Sequence, residues 1–192
     1  RSIKSAENSN GDEPANTKGH GMKYPFIDLA SQQNRIRTEI EHNMKTVLNH
    51  GQYIMGPEVA ELEAALCERV GIRHTVTCSS GTDALLLALM GLHLKPGQGV
   101  IVPSFTFTAS AEVMPLLGAI PVFAEIDEET FTLCPSRLQD ALQSAKDAHI
   151  EVVGIMVVGL FGQPAQMDEI NAFANTNGFW VLDDAAQSFG TE

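Results

Sequence analysis

The hydrophobic positions change period part-way along the chain. From Asn34 to His50 apolar residues fall at Ile36, Ile40, Met44 and Val47, a helical stripe that Gly51 is placed to stop. HGQYIMGPEV (50–59) reads as a turn that puts Pro57 at the first position of a second helix. That helix is predicted to bury Val59, Leu62, Leu66 and Val70 and to end at Gly71. Beyond it the pattern alternates. Strands are predicted at 74–79, 100–103, 119–126, 150–158 and 179–184, and helices at 82–92, 106–117, about 135–146 and about 166–177. The helix at 82–92 is apolar nearly all round and is predicted to be buried. The strand IEVVGIMVV is apolar enough to be covered on both faces. Strands alternating with helices predict an α/β fold with a mainly parallel sheet and helices on both faces. In such sheets ligands bind beyond the carboxyl ends of the strands.

Residues 1–21 are polar and without periodicity, and are expected to form a disordered leader or an added expression tail, with Met22 the native start. The remainder carries the whole acidic excess: Asp and Glu number 24 against 12 Lys and Arg, while residues 1–21 hold three of each sign. Such a balance argues against a nucleic-acid partner, whose phosphates need compensating cations. No run approaches the length needed to span a membrane, and the start has no secretory apolar region. Cys67, Cys78 and Cys134 are widely spaced and lack metal-ligand spacing, so reduced thiols in a cytoplasmic protein, and no metal site, are expected.

Three strand ends carry the candidate chemistry. In SSGTDAL (79–85), Gly81 permits a tight turn and a helix begins near Thr82. Its free N–H groups and dipole would cradle a phosphate, with Thr82 adding a hydroxyl; an ordinary N-cap in a strand-to-helix turn accounts equally for these residues. PSFTFTAS (103–110) places Phe105 and Phe107 near the same mouth, where one could stack on a planar heterocycle or both could be core. VLDDAAQSFG (181–190) ends an apolar strand with Asp183 and Asp184, of which alternation lets only one face a given ligand. A carboxylate held against a pyridine nitrogen keeps that nitrogen protonated, and Gln187 could reach the same ligand. The alternative is a cap-and-turn cluster with one surface Asp. There is no P-loop and no G-x-G-x-x-G, which weakens a nicotinamide-dependent oxidoreductase.

Taken together, PFIDLASQQNRIRTEI (25–40), HGQYIMGPEVAELE (50–63), SSGTDALLLALMGL (79–92), PSFTFTASAEV (103–113), LLGAIPVFAEID (116–127), LFGQPAQMDEINAFA (160–174) and VLDDAAQSFG (181–190) resemble the DegT/DnrJ/EryC1/StrS family of sugar aminotransferases. These enzymes use pyridoxal 5′-phosphate (PLP). The resemblance implies the three-layer αβα large domain of PLP fold-type I transferases, incomplete at the carboxyl end. It implies phosphate binding by Gly81 and Thr82, stacking by Phe107 rather than Phe105, pairing of Asp184 with the pyridine nitrogen, and a hydrogen bond from Gln187 to the phenolic oxygen. The lysine that carries the cofactor is expected beyond Glu192, with the small domain, so no catalytic residue is assigned within these 192 residues and the chain alone is expected to be inactive. Two positions depart from the family pattern. Gly159 stands where many members have His, and Asp183 where Glu is commoner.

The implied reaction is ping-pong transfer of an amino group, from glutamate, to a nucleotide-linked keto-sugar, by a homodimer. The segments FIDL-x-x-QQ-x-RI, HGQYI-x-GPEV and DAAQSFG look like members that aminate C3 of a UDP-linked 2-acetamido-3-keto-glucuronic acid for surface polysaccharide. Two rivals stay open on the sequence. One is a PLP-dependent sugar dehydratase, in which His replaces the family's lysine. The other is a non-catalytic fragment.

Overall fold

The computed structural model describes residues 27–191; the expected leader at 1–21 and the Met22 start lie outside the described residues. The chain divides into two units, Arg1–Ile54 and Met55–Glu192. In the first, helix α1 (Leu29–His50) begins five residues before the expected Asn34. Asp28 is the reason: its carboxylate accepts the Ser31 N–H at 3.0 Å and caps the helix. Gly51 ends it, as expected, in the left-handed conformation.

The second unit opens with α2 (Pro57–Val70), whose first residue is Pro57 and whose stop is a left-handed Gly71. The expected burial of its apolar stripe is not found: Val59 and Leu66 are half-buried, and Leu62 and Val70 are exposed. The segment predicted as a strand at 74–79 is not one. A strand needs a hydrogen-bonded neighbour, and none lies along this segment among the described residues. It is held by side chains of α2 instead: the Glu63 carboxylate accepts both the N–H and the hydroxyl of Thr77 at 2.9 Å, and Cys67 Sγ lies 3.1 Å from Thr75 Oγ1.

From here the alternation is as predicted, with shifted ends. The elements are α3 (Gly81–Gly91), β1 (Gln98–Pro103), α4 (Ala109–Leu116), β2 (Ile120–Ala124), a 3-10 turn (Pro135–Arg137) leading into α5 (Leu138–Asp147), β3 (Glu151–Val158), α6 (Met167–Asn177) and β4 (Trp180–Asp184). The four strands pair in parallel throughout, in the sheet order β2-β1-β3-β4.

Side-chain alternation on the strands builds two cores. Ile101, Val122, Ile155 and Val157 pack with Leu138 and Leu142 of α5 and Ile170 of α6 on one face. Val100, Val102 and Met156 pack with Leu85 and Leu89 of α3 and Val113 and Met114 of α4 on the other. Each fully buried aliphatic of this kind contributes about 1.5–3 kcal/mol relative to exposure. The pairing of β1 with β3 slips by one residue between Gly99–Val152 and Val100–Gly154, so Val152 and Ile155 face the same core although three apart. The expected all-round burial of α3 is only half met, since Leu87 and Met90 are exposed. Among the described residues no helix is long and apolar enough to cross a membrane, and no group of His, Cys, Asp and Glu could hold a metal ion.

Candidate functional site

The sheet decides which of the two adjacent carboxylates faces which layer. On β4, Trp180 and Leu182 pack into the core beneath α3 and α4, and Val181 into the core beneath α5 and α6. Asp184 follows the parity of Trp180 and Leu182, and Asp183 that of Val181. Asp184 therefore lies on the α3/α4 face at the carboxyl end of β4. There its Oδ2 accepts the Ser110 hydroxyl at 2.8 Å, and its Oδ1 the Ala186 N–H at 3.3 Å.

Ser110 sits in the first turn of α4 and is completely buried. Its N–H donates to the Phe107 carbonyl at 3.1 Å, so the loop carrying Phe107 is tied to the residue that anchors Asp184. Phe105 and Phe107 separate clearly. Phe105 joins Phe131 and Phe161 in a cluster with ring centroids 5.7–6.5 Å apart. Phe107 is 71% exposed and belongs to no ring pair among the described residues. Its ring face is open to a ligand.

The helix that packs beside α4 on this face is α3. It leads through a short turn into β1, so it runs antiparallel to the strands and its N-terminus points to the carboxyl ends. Ser80 caps it, accepting the Asp83 N–H at 3.1 Å, while the Ser79 hydroxyl donates to the Asp83 carboxylate. Hydrogen bonding by the Ser79 side chain, then by that of Ser80, holds the Asp83 carboxyl below its usual range. The N–H groups of Gly81 and Thr82, in the first turn, have no partner within the helix.

Gln187 is fixed from behind. Its Oε1 accepts the Phe161 N–H at 2.6 Å, which directs the amide nitrogen, a donor, away from the backbone. Phe161 itself is held in the left-handed region at φ 58°, a conformation costly for a residue with a Cβ.

Asp183 has a different environment. It lines an open cavity of about 480 Å³ with Arg69, Met167, Ala185, Ser188 and Thr191. The residue as a whole is exposed, yet desolvation of its carboxyl, then the charge of Asp184, raise it above the ordinary carboxylate range. That cavity touches none of Gly81, Thr82, Phe107, Asp184 or Gln187.

The structure thus links Asp184 to the Phe107 loop by hydrogen bonds and places Gly81 and Thr82 on the same face at the same end. Gln187 is on the turn directly after β4. Sequence reasoning missed Ser110 and Phe161. No local signal marks Ser110, because its partner is 74 residues away. A phenylalanine between Leu160 and Gly162 gives no hint of positive φ.

The sequence profile of the DegT/DnrJ/EryC1/StrS aminotransferase family matches residues 34–192. The chain belongs to this family. It is 47% identical over 165 residues to a UDP-2-acetamido-2-deoxy-3-oxo-D-glucuronate aminotransferase of Pseudomonas aeruginosa, an alignment covering 86% of this chain and 44% of that protein. Among solved structures, a DegT DnrJ EryC1 StrS aminotransferase from Brucella abortus superposes with a TM-score of 0.84 at 41% identity, over 88% of this chain and 45% of that one. NtdA from Bacillus subtilis, solved with bound cofactor PMP, superposes with a TM-score of 0.81 at 28% identity, over 90% of this chain and 39% of that one. The chain spans a little under half the length of the curated relative it matches. Its four-stranded parallel sheet is the corresponding part of the PLP fold-type I architecture that these aminotransferases share.

Proposed function

We propose that the protein containing this chain is a PLP-dependent aminotransferase of nucleotide-linked keto-sugars. The observation that carries the proposal is the placement of Asp184 on the α3/α4 face, anchored by Ser110 and tied through it to the loop of an exposed Phe107.

The residues present fit the cofactor. Gly81 and Thr82 offer helix N-terminal N–H groups to its phosphate, where the helix dipole favours negative charge. Phe107 offers a free ring face to the pyridine. Asp184, its carboxylate anchored by Ser110 and Ala186, would pair with the ring nitrogen and keep it protonated. Gln187, with its carbonyl taken by Phe161, would keep its amide donor for the phenolic oxygen. When bound, the cofactor accepts an amino group from a donor, glutamate in this reading, and delivers it to a carbonyl. The bound PMP of the Bacillus subtilis relative, the amine form of this cofactor, supports the assignment.

The substrate we favour is a UDP-linked 2-acetamido-3-keto-glucuronate of a surface-polysaccharide route, supported by the 47% identity to the Pseudomonas aeruginosa enzyme. A homodimer working in the cytoplasm completes the reading; the free state of Cys67, Cys78 and Cys134 supports that compartment.

The test is a coupled assay on the full-length protein with PLP, glutamate and UDP-linked 2-acetamido-3-keto-glucuronate. Formation of 2-oxoglutarate that depends on the keto-sugar is expected. Tight PLP binding without turnover would remove the substrate assignment, and no PLP binding would overturn the whole reading.

A further inference from the structure

We infer that Ser110 is the positioning residue that orients Asp184 toward its ligand. The inference rests on the reading of Asp184 as the cofactor's ring-nitrogen partner.

Ser110 lies in the first turn of α4 and Asp184 at the tip of β4, so their 2.8 Å hydrogen bond joins two elements that come together only in the folded sheet. The Ser110 side chain is completely buried, and its single proton goes to the carboxylate. Thr106 Oγ1 lies 3.4 Å behind Ser110 Oγ. With the Ser110 proton committed, Thr106 is the donor, and the order is Thr106 to Ser110 to Asp184. A chain of hydroxyls that ends on a carboxylate polarises along its length. The Ala186 N–H on the other oxygen completes a two-point clamp, one point from α4 and one from the turn after β4. Asp183 receives no comparable clamp: no hydrogen bond to its carboxylate is found among the described residues. Of two chemically identical neighbours, only Asp184 has its carboxylate held by hydrogen bonds among the described residues.

A purely structural role for Ser110 would be to fill a buried polar position. That role would change stability and leave bound cofactor untouched. The experiment therefore measures cofactor affinity and the absorption spectrum of bound PLP in the full-length protein, for wild type, Ser110→Ala, Ser110→Thr and Thr106→Val. For Ser110→Ala, the expected results are PLP affinity weaker by about tenfold and a changed ratio of the cofactor's two long-wavelength bands at fixed pH. Ser110→Thr keeps the hydroxyl and is expected to restore both. Thr106→Val shifts both in the same direction by less, and it decides the question if Ser110→Ala does not fold. Affinity and spectrum unchanged in the folded variants overturn the inference while leaving the site reading intact. A wild-type protein that does not bind PLP overturns both.

Discussion

A Cβ added to Gly159 would fall on the side chain of Ser188, overlapping both its Oγ and its Cβ. Ser188 is buried, so it has little room to withdraw. The space that a side chain at position 159 would need is therefore taken by a serine 29 residues later. Gly159→Ala is expected to destabilise the protein by about 1–3 kcal/mol, the usual cost of overpacking. Ser188→Gly should recover most of that loss in the double variant, measured as a coupling energy by chemical denaturation. Strictly additive effects would show that the two positions do not compete for space.

Gly154 and Trp180 make a second close pair. The two residues are register partners on β3 and β4, and the indole lies flat where a Cβ on Gly154 would stand. Gly154→Ala should lower the midpoint of thermal unfolding by the equivalent of about 2–3 kcal/mol and move the tryptophan emission to longer wavelength. Unchanged emission would mean that the ring does not pack on this glycine.

Phe105 and Phe107 should respond in opposite ways. Phe105→Ala breaks the cluster with Phe131 and Phe161 and is expected to cost about 1 kcal/mol of stability with little change in PLP affinity. Phe107→Ala, at an exposed ring, should leave stability alone and weaken PLP by about tenfold. Denaturant melts and fluorescence titration on the full-length protein separate the two.

Replacing Gln187 by Glu keeps an oxygen for the Phe161 N–H and removes the amide donor. The variant is expected to melt with the wild type yet bind PLP about tenfold more weakly. If PLP affinity is unaltered, Gln187 does not donate to the cofactor.

The pH dependence of stability tests the Asp183 environment. Desolvation, then the charge of Asp184, raise its carboxyl above the ordinary 3.8, so the folded chain holds this proton more tightly than the unfolded chain. The contribution is complete below the ordinary value and is lost as pH rises through the raised one. Asp183→Asn should therefore coincide with wild type in acid and be the more stable protein near neutrality. A gap that closes toward neutral pH would contradict this assignment.

Periodicity and punctuation alone determined the order and type of the elements from α3 onward. Short apolar runs marked β1, β3 and β4, while Gly51, Pro57 and Gly71 marked helix ends, because those signals depend on the residues within a short stretch. The motif residues of the candidate site were legible for the same reason, as they sit where strands stop and helices start. Burial and pairing depend on what lies across the fold. Val59, Leu62, Leu66 and Val70 have helical spacing but no layer fully covering them among the described residues, and 74–79 has strand composition but no adjacent strand. Only the tertiary structure chose Asp184 over Asp183 for the α3/α4 face, placed Ser110 against it and put Ser188 where Gly159 lacks a side chain. Each of these relations joins residues far apart in sequence, so packing and hydrogen bonding decide them, and local propensity carries no trace of either.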